Sequence, residues 1–259
     1  MRPMVLSAIL AASLSVTGFD RPVQADVVTL RADEWCPYNC VPGSDRPGYM
    51  IEIAQEVFGR AGHQVDYQVL NWMRSIAEAR NGRHTAIVGA INEEAPDFVY
   101  PSEAIGMLSD GFVVRKGTKF HYTGQDSFDG LTIGIIRGYD YHDLIDAYIK
   151  KHSSDRTRVQ FTTGDDALEQ NLKKLAAGRI DVVIDDQNVL NLAIQEFGLS
   201  HLLEIAGNDG APEPAHIAFS PADDKAAEYA MLLADGIKDL RASGRLAEIL
   251  GRYGLVDWR

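Results

Sequence analysis

The chain has 259 residues, 46% hydrophobic and 24% charged, with a formal net charge of −12. Those values fit an ordinary globular protein with room for one large domain or two small ones. A surface this acidic disfavours nucleic acid and anionic membranes as partners.

The first 25 residues read as a secretory signal. Arg2 supplies a positive start, residues 5–18 are apolar and rich in Ala, Leu and Ser, and Val23-Gln24-Ala25 fits the small-x-small cleavage pattern. A short membrane anchor is the alternative, but the run is too short to span a bilayer comfortably. No cysteine lies near the cleavage point to carry a lipid. The mature chain is expected to be exported, periplasmic and soluble.

Residues 27–31 form a β-rich run. Cys36 and Cys40, the only cysteines, follow it. In an oxidising compartment two close cysteines most often form a local disulfide. Free thiols, or a redox or metal role, are the alternatives. The spacing is one residue too long for a thioredoxin-type pair, and two thiols give half of the usual four zinc ligands. A disulfide here would stabilise by about 2 kcal/mol and stiffen the segment that carries Trp35 and Tyr38.

Over residues 48–61, Ile51, Ile53, Ala54, Val57 and Phe58 recur at helical spacing and Gly62 closes the segment. A strand over 65–69, a short helix over 72–80 and a strand over 85–89 follow. Repeated βα units predict a largely parallel sheet. Residues 105–116 read as one strand leaving this unit, and 117–130 are polar and turn-rich. A second unit has strands over 131–136, 159–161 and 179–184, with helices over 141–151, 166–177 and 188–197. Residues 208–214 read as a flexible junction, followed by a strand over 215–220 and helices over 222–242 and 245–253. The two crossings, near 115–118 and 206–214, predict one lobe of 26–115 plus 211–259 and another of 116–210. Two crossover strands form a hinge on which lobes can close.

Several distinctive residues fall where predicted strands end. They are Trp35 and Tyr38, Asn71-Trp72-Met73-Arg74, Gly89-Ala90-Ile91-Asn92, Gly138-Tyr139-Asp140 and Asp185-Asp186. Ligands bind at the carboxyl ends of strands in open α/β sheets, so a cleft is expected there. No nucleophile–base pair stands out. The histidines, His63, His84, His121 and His152 among them, show no metal-ligand spacing, and no phosphate loop is present. Neither a metal nor a cofactor is expected.

Three segments resemble the family-3 solute-binding proteins of bacterial ABC transporters, the polar amino acid class. Gly48-Tyr49-Met50-Ile51-Glu52-Ile53-Ala54 resembles that family's helix start. Residues 128–138, ending Ile135-Ile136-Arg137-Gly138, resemble its "L-x-G-K-x-V-G-V-x-x-G" segment. Leu175-Ala176-Ala177-Gly178-Arg179-Ile180-Asp181-Val182 resembles its "L-x-x-G-x-x-D-hydrophobic" signature. The resemblance implies an α/β, two-lobe periplasmic-binding-protein fold of type II. It implies a small-molecule ligand and, as partner, an ABC permease or a membrane sensor. A monomer is expected.

One departure concerns the ligand. The family usually carries "S-hydrophobic-T-x-x-R", whose Arg grips a substrate carboxylate. The matching stretch here is Ala90-Ile91-Asn92-Glu93-Glu94-Ala95, with Ala95 at the Arg position. A bidentate Arg–carboxylate fork is strong, with each charged hydrogen bond contributing about 1.5–3 kcal/mol. Arg74 is the candidate replacement; pairing with Glu78 at i+4 is the structural alternative. Trp35, Tyr38 and Trp72 offer flat walls, or else core packing. Asp185 matches the position that holds a substrate amino group, and Asp186 is a candidate helix cap. Tyr139 and Asp140 begin a helix, where backbone N–H groups favour an anion; the family usually has a small hydroxyl residue in place of Tyr139. Ala90 and Asn92 complete the candidate set. Glu93-Glu94 reads as a solvated acidic turn and His142 as a helix-surface residue.

The leading expectation is capture of a small polar or zwitterionic ligand by lobe closure, with Arg74 on the anionic group and Asp185 on the cationic one. Two alternatives share the fold. One is a periplasmic dehydratase, for which Glu93, Asp140 or Asp185 would be the general acid. The other is a sensory binder without a transporter.

Overall fold

The computed structural model describes residues 25–210 and 212–259. The expected signal, apart from Ala25, lies outside the described residues. The chain opens with β1 (Val27–Ala32), α1 (Tyr49–Arg60), β2 (Gln64–Val69), α2 (Trp72–Arg80) and β3 (Ala86–Ala90). β1 pairs in parallel with β2 and β3. All five residues of β3 are buried, as expected of a central strand covered on both faces. α1 turns Ile51, Ile53, Ala54, Val57 and Phe58 into the core. α2 begins at Asn71, whose side chain accepts a bond from the Arg74 N–H, a standard N-cap arrangement.

β4 (Gly106–Leu108) and β5 (Asp110–Arg115) follow. Then come β6 (Ile133–Ile136), α3 (Asp143–His152), β7 (Val159–Thr162), α4 (Ala167–Ala176), β8 (Val182–Asp186), α5 (Gln187–Glu196) and β9 (Leu203–Asn208). β10 (Glu213–Phe219), α6 (Ala226–Ala242) and α7 (Arg245–Gly251) end the chain. The strands make two sheets, ordered β2-β1-β3-β10-β4 and β7-β6-β8-β5-β9. Each sheet has its own core. The second is packed on both faces, by Phe112, Phe128 and Tyr148 on one side and Leu172, Leu175 and Leu190 on the other.

The first crossing lies at Ser109, not at 115–118. β4 pairs with β10 in the first sheet, while β5 pairs with β8 and β9 in the second. Residues 110–115, expected in the first lobe, therefore pair in the second. The extended run over 105–116 changes sheet at a single residue between β4 and β5, so its periodicity hides the switch. Ser109 is pinned there: its N–H donates to Asp186 Oδ2 at 3.0 Å and its carbonyl accepts from Gln187 N at 2.9 Å. The chain returns through residues 209–212, of which Ala211 is outside the described residues. β9 occupies part of the segment expected to be a flexible junction. Two further signals are resolved by geometry. Asp186 caps α5 by accepting from Asn188 N at 2.8 Å and Val189 N at 3.2 Å. Cys36 and Cys40 form a disulfide, with Cα atoms 4.7 Å apart.

The disulfide loop packs directly on the start of α1. Gly48 has φ 104°, and a Cβ there would stand 2.4 Å from Asn39 Cα. Gly43, in the same loop, has φ 72° and open space around it. Gly48→Ala therefore combines backbone strain with a backbone clash, whereas Gly43→Ala carries only the strain. Urea denaturation is expected to show Gly48→Ala less stable than Gly43→Ala by at least about 1 kcal/mol. Equal losses would contradict this packing.

Candidate ligand cleft

The loops after β1, β3, β6 and β8 meet between the sheets. After β1, Trp35 N donates to Asn39 O at 2.8 Å and Tyr38 N to Trp35 O at 3.0 Å. This tight turn, closed by the disulfide, sets Trp35 over Gly89 of β3, where a Cβ would come within 3.5 Å of the indole. Trp35 stacks on Tyr38 with centroids 4.6 Å apart, and meets Tyr139 edge-on at 6.4 Å and 80°.

Two adjoining narrow chambers of about 60 and 50 Å³ share Trp35, Ile91, Leu108, Tyr139 and Asp140 as walls. The first adds Asp33, Asn39, Trp72 and Glu94. The second adds Asp110, His142, Asp185, Asp186 and Glu213. The lobes bond directly across this space. Trp35 Nε1 donates to Asp185 Oδ1 at 2.8 Å, and Tyr139 OH donates to Asp33 Oδ2 at 2.6 Å. Asn188 Nδ2 donates to Tyr38 OH at 3.0 Å, and His142 Nδ1 lies 3.1 Å from Glu213 Oε1. Bonds of this kind contribute about 0.5–1.5 kcal/mol each, net.

The walls are acidic. Burial raises the Asp185 carboxyl to about 8, although the Trp35 and Asp186 N–H groups oppose the rise. Burial lifts Glu94 to about 7 against its bond from Trp72 Nε1. It lifts Asp110 to about 7 against the His142 N–H, and Asp33 to about 6 against the Tyr139 hydroxyl. Among the described residues, two buried oxygens of the chamber walls, Asp185 Oδ2 and Asn39 Oδ1, have no hydrogen-bond partner.

Of the residues expected at the site, Trp35, Trp72, Tyr139, Asp140 and Asp185 line the chambers. Arg74 does not. Its side chain is 65% exposed and its Nε donates to Glu78 Oε1 at 2.7 Å. The Asn71 cap orients α2 so that Trp72 points inward and Arg74 outward. Tyr38 is 1% exposed and lies beneath Trp35, as support and not as wall. Ala90 is fully buried in β3 opposite His216. Asn92 is exposed and lines a separate outer groove with Glu93, Pro214 and His216. Ala95 is buried in the core, and its neighbour Glu94 turns into the cleft instead of standing in a solvated turn. His142, expected on a helix surface, lines the second chamber. Asp33, Asn39, Glu94 and Asp110 were missed. Asp33 stands one residue past β1, and the strand-end rule that selected Trp35 applies to it equally. Asp110 was hidden inside the uninterrupted run of 105–116.

The four raised carboxyls fix a direction for pH. A buried carboxyl raised above its solvent-exposed value stabilises the closed form while protonated and loses that contribution as pH climbs through the raised value. For Asp33, Glu94, Asp110 and Asp185 that window runs from about 4 up to about 8. Small-angle scattering of the ligand-free protein is expected to give a larger radius of gyration at pH 8.5 than at pH 5.5. An unchanged or smaller radius would contradict the direction.

Among the described residues no helix is long and apolar enough to cross a membrane. A search of curated proteins found no match. Solved structures share the fold. One, from work on glutathione import via GshT and the cystine ABC importer TcyBC of Streptococcus mutans, is 19% identical with a TM-score of 0.74, over 90% of this chain and 96% of that one. The amino acid ABC transporter substrate-binding protein AbpA of Streptococcus pneumoniae, bound to L-arginine, is 16% identical with a TM-score of 0.68, over 88% and 94%. A histidine kinase sensor domain with similarity to periplasmic binding proteins is 18% identical with a TM-score of 0.70, over 90% and 98%. These likenesses show the two-lobe periplasmic-binding-protein fold. A family model matches residues 28–256, nearly everything after the expected signal, and the chain belongs to the bacterial extracellular solute-binding proteins, family 3.

Proposed function

We propose that this protein captures a small polar solute in the periplasm by closing its lobes, and that the closed form is read by an ABC permease. The carrying observation is that the residues lining the chambers are also those bonded across them: Trp35 to Asp185 and Tyr139 to Asp33. Closure and site assembly are thus one event. A ligand that binds the closed form better than the open one shifts the population by that difference in affinity. Membership of the family, and the importer proteins among its structural likenesses, support the transport reading.

Asp185 is the residue proposed to hold a cationic group of the solute, with Trp35 and Tyr139 against its body. Arg74 has no part in this site, so the zwitterionic form of the expectation loses its anionic half. A sensory role uses the same cleft and differs only in the protein that reads it; the histidine kinase sensor domain among the similar folds keeps that reading in play. The dehydratase reading draws on the protonated carboxyls of Asp185 and Glu94 as general acids, and incubation with arogenate or prephenate tests it by product formation.

A thermal-shift screen over amino acids, amines, carboxylates and aromatic acids tests the solute reading. A ligand at 100 times its dissociation constant stabilises the folded state by about 2.7 kcal/mol. The expected result is a stabilising compound whose effect is lost in Trp35→Ala, shown folded by circular dichroism, and kept in Arg74→Ala. Binding that survives Trp35→Ala would place the site elsewhere.

A further inference from the structure

We propose, on the reading of the cleft as a solute site, that its ligand is a small organic cation carrying no carboxylate, such as an amine or a guanidinium compound. Three independent features of the cleft converge on this.

The first is the absence of any grip for an anion. Among the described residues that line the two chambers there is no lysine or arginine, and the one basic side chain, His142, already stands 3.1 Å from Glu213 and 3.4 Å from Asp209. The backbone N–H groups of residues 140–142, in the turn before α3, could also receive an anion, but the protein's own carboxyl groups accept from them. His142 N donates to Asp110 Oδ2 at 3.1 Å, Tyr141 N to Asp146 Oδ1 at 3.3 Å, and Asp140 N to the Glu94 carboxylate. A ligand carboxylate would find ionisable acids there and no lysine or arginine among the lining residues.

The second is the pair of orphaned oxygens. Asp185 is 1% exposed and lines the second chamber, and its Oδ2 has no partner. Asn39 is fully buried and lines the first chamber; its Nδ2 donates to Asp33 O and Tyr67 OH, and its Oδ1 has no partner. Asn39 Oδ1 is an acceptor and Asp185 Oδ2 becomes one when its carboxyl ionises, and buried acceptors are costly to leave unpaired. An ammonium or guanidinium brings donors alone.

The third is the aromatic corner between the chambers. Trp35 and Tyr139 stand at 80° with centroids 6.4 Å apart, and Trp72 closes the first chamber. Ring faces attract cations, most strongly where water is excluded. Among the described residues no group of three or more side chains is arranged to hold a metal ion, which favours an organic cation. Burial keeps Asp185 protonated to about 8 in the ligand-free state, and a bound cation would hold it as carboxylate.

Matched pairs that differ by one carboxylate test this by calorimetry: agmatine against L-arginine and putrescine against L-ornithine. The expected result is at least tenfold tighter binding of the carboxylate-free member in one or more pairs, with no pair reversed. Asp185→Asn should then weaken that binding at least tenfold, Asp33→Asn should weaken it as well, and Arg74→Ala should change it less than twofold. Tighter binding of the carboxylated members, lost in Trp35→Ala, would overturn the cation assignment and leave the solute reading standing. Binding by no member of any pair would also overturn it, while the wider screen decides separately whether the cleft takes a solute at all.

Discussion

The hydrogen bond from Trp35 Nε1 to Asp185 Oδ1, at 2.8 Å, joins the first lobe to the second at the point where the site forms. Its donor is held by the disulfide turn after β1, stacked on Tyr38 and laid over Gly89. Its acceptor ends β8, in a setting that raises the carboxyl to about 8. Everything else in the cleft depends on this approach. It brings Tyr139 within 2.6 Å of Asp33, and it buries the acids of both lobes against one another. A closed cleft lined by carboxyls is tolerable while they carry protons or meet a positive charge, because burying an unpaired charge is costly.

That constraint links stability to function. The same burial that raises the carboxyls makes the closed ligand-free form less favourable as they ionise, and a cation would reverse the effect by pairing with the ionised form. Under the proposal, a cationic solute supplies the missing counter-charge. Two short crossings, at Ser109 and between β9 and β10, connect the lobes. His142, Glu213 and Asp209 cluster beside the second crossing.

Much of this architecture was legible in the sequence. α2 spans the residues expected of it, from Trp72 to Arg80, with Asn81-Gly82 marking its end and Asn71 capping its start. The strand-end rule found Trp35, Tyr139, Asp140 and Asp185, since sheet topology places those positions together whatever the details of the loops. What failed depended on direction or on partner choice. Arg74 sits at a strand end, but the helix phase set by Asn71 points it to solvent and Glu78 is within reach. Glu94 was set aside with Glu93 as an exposed turn, yet Glu94 lines the first chamber and Trp72 Nε1 meets it at 3.0 Å. The exchange of sheets at Ser109 left no trace in periodicity, so Asp110 went unseen inside a run that reads as one strand.

A crystal structure of the protein with its tightest-binding solute tests the central claim most directly. The account predicts the solute between Trp35 and Tyr139, with a cationic nitrogen within hydrogen-bond distance of Asp185 Oδ2. A solute whose anionic group faces Asp185, or one bound outside the two chambers, would contradict it.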